Sequence, residues 1–196
     1  MRLVLATRND HKVRELQGLL PACELVPLPS EVELPPETGD TFEANAIIKA
    51  EAAARATGQP AIADDSGIEA AALDGRPGVY SARYAGEDAT DQENLDKLLR
   101  EVTPESDPRL AYVCVIAYVE RPGAEPRLFE GRCTGTITHD PRGDRGFGYD
   151  PAFVPDARDD GLTMAELDPA DKHAISHRGR AGRALADWMR ARGVAA

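Results

Sequence analysis

Asp64 and Asp65 follow the apolar run Pro60–Ala63 and precede Ser66 and Gly67. Adjacent carboxylates repel, and burying either costs free energy unless a cation or hydrogen-bond donors compensate. Carboxylates at the end of a strand suit metal-assisted hydrolysis of a phosphoanhydride. Magnesium is the fitting ion, since it takes one or two carboxylates together with water and phosphate oxygens. Glu37, in the stretch PPETGDTF, is the natural second carboxylate beside Asp65, although Glu33, Asp40 and Glu43 compete with it. The bland alternative is a solvated strand-to-helix turn, because Asp, Ser and Gly are ordinary turn residues.

Three other stretches carry chemistry. ATRNDHK, ending at Lys12, lies where a first strand gives way to a first helix. Helix N-terminal amides gather anions at such a point. Thr7 and Asn9 offer hydrogen bonds and Lys12 a charge, a candidate phosphate cradle without the glycines of a Walker loop. An N-cap followed by a surface lysine is the alternative. DRGFGYDPAF (Asp144–Phe153) places Phe147 and Tyr149 among glycines, where a ligand can approach closely and a ring can stack on a nucleobase. A core aromatic pinning a loop would look the same. DKHAISHRGR packs Lys172, His173, His177, Arg178 and Arg180 into ten residues, the densest group of donors in the chain; a solvated helix face is the alternative. Tyr80–Asn94, with Arg83 between two tyrosines, is a weaker candidate.

The elements that must hold these residues alternate. Arg2–Thr7 reads as a strand and His11–Leu20 as a helix with Val13, Leu16, Leu19 and Leu20 on one face. A short strand ELVPL and a proline-rich acidic loop follow. A helix from Thr41 to about Thr57 is opened by Asp40 with Glu43 three residues on. PAIAD reads as a strand ending on the carboxylates. Thr90 and Glu93 form a second capping box. LAYVCVIAYV and RLFEGRCTGTI read as adjacent antiparallel strands, and Ser176–Gly193 as a closing helix. The fold class expected is α/β with a mixed sheet.

The chain has 196 residues, 42% of them hydrophobic and 29% charged, which fits one large domain with ample chain for a core. The formal net charge of −11 argues against a duplex nucleic-acid binder. It leaves room for a locally positive cleft that takes a phosphorylated small molecule. No apolar run of about 18 residues is present, so no membrane span is expected. The N-terminal stretch lacks the marks of a signal peptide. Three distant cysteines without metal-finger spacing suggest reduced thiols in a cytoplasmic protein. Neither a Ser–His–Asp order nor a reactive-cysteine setting favours covalent catalysis.

Taken in order, LATRNDHKVREL, ETGDTFEANAIIKA, PAIADDSGI, GVYSARYAGEDATDQEN, GFGYDPAF, AEL and KHAISHRGRA resemble the Ham1/RdgB-type inosine triphosphate pyrophosphatases, over nearly the whole chain. The resemblance implies an elongated mixed β-sheet flanked by helices, a single domain of two lobes around a central substrate cleft, and a homodimer. It implies Mg²⁺-dependent hydrolysis of non-standard purine nucleoside triphosphates (ITP, dITP, XTP) to the monophosphate and pyrophosphate. By motif, Thr7, Arg8, Asn9, Asp10, His11 and Lys12 would hold the triphosphate. Asp65 would be general base or metal ligand with Glu37, Asp64 would support it or join the metal site, and Ser66 would contact substrate. Phe147, Gly148, Tyr149 and Asp150 would frame the base, with Lys172, His177 and Arg178 as polar partners. Arg8 departs from the small residue, such as Gly, that the family often has there; it either points away or adds a phosphate contact. A Maf-type pyrophosphatase, or a nucleotide binder that no longer hydrolyses, are the rival readings.

Overall fold

A computed structural model describes residues 1–193. In chain order the elements are β1 (Arg2–Leu5), α1 (Asp10–Leu19), β2 (Glu24–Pro27), α2 (Phe42–Thr57), β3 (Ala61–Ala70), α3 (Asp91–Glu101), β4 (Arg109–Val119), β5 (Arg127–Ile137), β6 (Phe153–Pro155), α4 (Pro169–Ile175) and α5 (His177–Ala191). The strands form one open sheet in the order β2-β1-β3-β4-β5-β6. β1 runs parallel to both β2 and β3, while β5 and β6 are antiparallel, so the sheet is mixed as expected.

The chain divides into two compact units. The first comprises Met1–Asp65, Cys114–Gly131 and the chain from Arg178 onward; the second comprises Ser66–Val113 and Arg132–His177. In the first, Leu3, Leu5, Ile62, Cys114, Ile116 and Tyr118 from the strands pack with Leu16 of α1, Leu20 just after it, and Ala181, Leu185 and Met189 of α5. Gly182 lets α5 come close to α1: a Cβ there would sit 3.0 Å from Leu19 Cδ1. In the second, Ile68, Leu98, Tyr112, Tyr149, Phe153 and Met164 belong to one buried cluster.

Helix starts follow from side chains that take up the first, otherwise unpaired amides. Asn9 caps α1, its Oδ1 accepting from His11 N at 2.9 Å and Lys12 N at 3.2 Å. Thr90 and Glu93 cap α3 reciprocally, the box its sequence predicts. α2 differs from expectation. Thr41, not Asp40, is its cap, with Oγ1 accepting from Ala44 N at 3.2 Å. Thr41 still has extended backbone, so the helix begins at Phe42.

The larger correction concerns β3. It does not end on the two carboxylates but continues through Asp64, Asp65, Ser66 and Gly67 to Ala70. Successive strand side chains point to opposite faces. Two adjacent aspartates are therefore sent apart rather than crowded together, and each meets its own compensating groups.

Candidate active site

Both aspartates lie in the first unit and both are buried, at 1% and 4% exposure. Asp64 faces α1 and α5. Its Oδ2 is 3.0 Å from Lys12 Nζ and accepts from Arg178 Nε at 3.3 Å and Nη2 at 3.1 Å. Arg178 Nη1 donates to Glu15 Oε2 at 2.5 Å. Burial pushes the Asp64 carboxyl up, but Lys12, Arg178 and Lys49 together outweigh it and hold Asp64 well below the usual carboxylate range. Asp64 is thus a committed anion. Cys114 Sγ sits 4.0 Å from Asp64 Oδ2, and burial with that charge pushes its thiol up to about 12. It is an inert core thiol.

Asp65 faces α2 instead. Its Oδ2 accepts from Asn45 Nδ2 at 3.1 Å and its Oδ1 lies 3.4 Å from Lys49 Nζ. Lys49 Nζ also reaches Glu37 Oε1 at 2.5 Å, so one ammonium joins the two carboxylates. Asn45 Oδ1 accepts from Gly39 N at 2.8 Å, which fixes the orientation of its amide toward Asp65. Burial raises the Asp65 carboxyl; Lys49 pulls it down, Glu37 pushes it up, and the net result is a raised value. Burial lowers Lys49, but Asp65, Asp64 and Glu37 overcome it and keep the ammonium charged.

Lys49, Asn45 and Glu15 are functional neighbours that motif reading passed over. A signal for two of them exists. The buried stripe of α2 is Phe42, Asn45, Ala46, Lys49, Ala50, Ala53 and Ala54. Asn45 and Lys49 are polar residues four apart on a face otherwise filled with apolar side chains, so both need a buried partner.

The donor set tests the expected metal. Among the described residues no group of three or more His, Cys, Asp or Glu is poised around one point. Asp65 and Glu37 supply hard carboxylate oxygens that already share one cation, Lys49. That suits magnesium, which is held by one or two carboxylates and completes its shell with water and phosphate. It does not suit a soft or fully caged ion.

The remaining phosphate-cradle candidates divide. Thr7 Oγ1 accepts from Asn9 N at 3.2 Å and Asn9 caps the helix, so these two shape the turn. Lys12 is not the surface lysine of the alternative reading: its side chain is 15% exposed and faces Asp64. Asp10 lies exposed in the first turn, and His11 Nδ1 is 3.0 Å from Arg14 Nη2. Arg8 turns to backbone carbonyls of residues 28–32. Ser66 is half-buried on β3, next after Asp65.

The second unit holds the other set. Asp150 is a buried hub. Its Oδ2 accepts from Lys172 Nζ at 2.8 Å and from Phe147 N at 3.0 Å, and its Oδ1 from Tyr112 OH at 3.1 Å. Lys172 Nζ also lies 5.3 Å from the Phe147 ring centroid. Gly148, at φ +62°, donates its amide to Asp91 Oδ2 at 2.9 Å. Tyr149 is 5% exposed and donates to Ser81 O at 2.7 Å, so it anchors the loop from below. His177 stacks on Tyr112, centroids 4.6 Å apart and planes within 8°. Lys172, His177 and Arg178 are all buried, which excludes a solvated helix face. Arg178 pairs with Asp64 and Glu15 in the first unit. The chain breaks at Ser176 between α4 and α5, and Arg178 lies in the first turn of α5.

The Ham1 family model matches residues 3–188. The chain belongs to the Ham1 family. A Yersinia pseudotuberculosis protein named dITP/XTP pyrophosphatase is 50% identical, with 96% of this chain and 98% of that protein covered. An Oceanobacillus iheyensis protein of the same name is 44% identical, at 96% and 98% coverage. The solved structure of a Ham1 protein from Coxiella burnetii superposes with a TM-score of 0.89 at 44% identity, covering 97% of this chain and 99% of that one. The mixed open sheet is thus the Ham1 fold, and Asp64, Asp65 and Asp150 sit on its strands and in its loops.

Proposed function

We propose that this chain hydrolyses non-standard purine nucleoside triphosphates (dITP, ITP and XTP) to the nucleoside monophosphate and pyrophosphate, with Mg²⁺. The observation that carries the reading is the pair of unlike aspartates in the first unit, in a chain similar at 44–50% identity to proteins named dITP/XTP pyrophosphatase. Asp64 is a fixed anion that holds Lys12 and Arg178 in place. Asp65 has a raised carboxyl, and its two oxygens meet Asn45 and Lys49; a carboxylate whose proton affinity is raised suits a general base.

Lys12 and Lys49 are the cations that meet the phosphate chain. Four carboxylates (Glu15, Glu37, Asp64, Asp65) face three cations (Lys12, Lys49, Arg178) in this cluster. By itself it would repel a polyanion, so a further cation must accompany the triphosphate. Asp65 and Glu37 would hold magnesium, which supplies charge neutralisation and polarises phosphoryl oxygens. The base is read by the second set, with Phe147 as the stacking face and Lys172 and His177 as donors for a 6-keto oxygen. The same reading carries a homodimer, a cytoplasmic setting and no nucleic-acid partner, the last supported by the net charge of −11. Among the described residues, no helix is long and apolar enough to cross a membrane.

The test is a panel of ITP, dITP, XTP, GTP and ATP with Mg²⁺, scored for pyrophosphate and monophosphate. Release of pyrophosphate from the first three in preference to the last two supports the reading. Orthophosphate as the first product, or equal rates on ATP, would refute it.

A further inference from the structure

From Leu28 to Asp40 the chain forms neither helix nor strand, yet it must deliver Glu37 to Lys49. Backbone carbonyls in such a segment need donors from elsewhere. Arg8 supplies them at the start of the loop. Its Nη1 donates to Leu28 O at 2.9 Å, and its Nη2 to Pro29 O at 2.8 Å, Val32 O at 2.9 Å and, more weakly, Ser30 O at 3.4 Å. Val32 N closes the turn on Pro29 O at 3.1 Å. Two further anchors follow along the same loop: Glu37 on Lys49, and Gly39 N on Asn45 Oδ1. Only one of the three, Arg8, comes from the turn between β1 and α1, four residues ahead of Lys12 in α1. A planar guanidinium with a fixed fork of five donors can serve several carbonyls at once; an ammonium is a point charge and cannot span them.

We propose that Arg8 is a positioning residue: it ties the Leu28–Val32 segment to the β1–α1 turn and so sets where Glu37 meets Lys49 and Asp65. This rests on the functional reading above only in that Glu37 helps hold magnesium. Arg8 then acts on the metal requirement through the loop and makes no phosphate contact.

The test compares full-length wild type, Arg8→Ala and Arg8→Lys by two measurements. The first is amide hydrogen exchange over residues 28–37, with α2 as the internal reference. The second is the half-saturating Mg²⁺ concentration at fixed ITP, set beside the KM for ITP at saturating Mg²⁺. Arg8→Ala is expected to speed exchange at 28–37 about tenfold, leave α2 unchanged and raise the Mg²⁺ requirement several-fold with little change in KM for ITP. Arg8→Lys should fall between the two. A raised KM for ITP with unaltered exchange would show a phosphate contact and overturn the proposal. Faster exchange with an unaltered Mg²⁺ requirement would overturn the link to Glu37. If wild type hydrolyses none of the triphosphates, the functional reading fails by itself, and unaltered exchange in Arg8→Ala still decides against the clamp.

Discussion

Asp64 and Asp65 are neighbours in sequence and opposites in charge behaviour. Asp64 is held ionised by Lys12 and Arg178, whereas Asp65, between burial and Glu37 on one side and Lys49 on the other, has a raised carboxyl. β-strand alternation produces the difference: one residue step exchanges the α1/α5 face for the α2 face. Paired groups whose environments push their proton affinities apart mark a division of labour. On the functional reading proposed above, one anion organises cations and the other exchanges protons.

Asp65→Asn is therefore expected to abolish turnover with the fold intact. The amide keeps the shape but cannot accept a proton. Loss of a general base costs about 10²–10⁴-fold. Pyrophosphate release from ITP, measured beside far-UV circular dichroism, checks it. Retention of a tenth of wild-type activity would remove Asp65 from that role.

The pH dependence follows with a definite sign. Asp65 must be deprotonated to act, and its carboxyl lies above the ordinary carboxylate value of about 3.9. Activity should thus fall on acidification at a pH above that value. Stability should not fall with it. A raised carboxyl binds its proton more tightly in the folded state, so protonating Asp65 favours the fold. Asp64 is depressed, so its contribution is fully present above its unfolded value and is lost only as pH falls through its lower folded one. The expected result is an acid limb in kcat/KM at a pH where the melting temperature has not dropped. Coincidence of the two would mean that activity is lost by unfolding.

Lys49→Met tests the electrostatic link directly. Lys49 is the strongest influence lowering Asp65. Without it, the Asp65 carboxyl climbs further, because the opposite charge that holds it down is gone. The acid limb should move to higher pH. A profile of unchanged midpoint and lower height would make Lys49 a phosphate ligand alone.

Much of this architecture was legible beforehand, and the exceptions have physical causes. α1 and α3 announced themselves by apolar period and by capping residues. β3 looked shorter than it is, because Asp, Ser and Gly are poor strand formers whose placement here is decided by tertiary partners. Lys49 was hidden in an alanine-rich helix where period marks the buried face but not what lies opposite it. Arg8 reads from its motif either as a phosphate contact or as a side chain that points away, and only the path of the 28–32 backbone shows where its donors go. Arg178 stands in one motif with Lys172 and His177, and only the structure shows its ion pairs with Asp64 and Glu15.

Those ion pairs set the expectation for Arg178→Ala. Its guanidinium is 2% exposed and serves Asp64 and Glu15. Removal takes that cation from Glu15 and leaves buried Asp64 paired with Lys12, and breaking a buried pair in this way costs about 3–5 kcal/mol. Urea unfolding should show that cost, and Arg178→Lys should recover part of it. A near-neutral effect on stability with an altered ITP-to-ATP ratio would return Arg178 to base selection.

Base selection is instead expected to respond to Lys172. Its ammonium rests on Asp150, whose carboxylate also takes the Phe147 amide, so charge, loop and aromatic face are held as one unit. Lysine donates and cannot accept. Facing a 6-keto oxygen it gains a hydrogen bond; facing a 6-amino group it meets another donor and is left with a buried, unmet requirement. One such mismatch costs about 1–3 kcal/mol, or roughly 5- to 150-fold in kcat/KM. Lys172→Met fills the volume without the donor; it should lower kcat/KM for ITP by that order and, by removing the unmet donor, raise it for ATP, so the ratio between them collapses. The substitution also strips Asp150 of its cation, which could loosen the loop and depress every substrate. Asp150→Asn separates these effects, since it weakens the same ion pair but keeps the Lys172 donor. If Asp150→Asn lowers ITP and ATP alike while Lys172→Met lowers ITP alone, Lys172 reads the purine oxygen. If both variants lower both substrates by equal factors, Lys172 only supports the loop, and discrimination must come from backbone groups between Phe147 and Asp150.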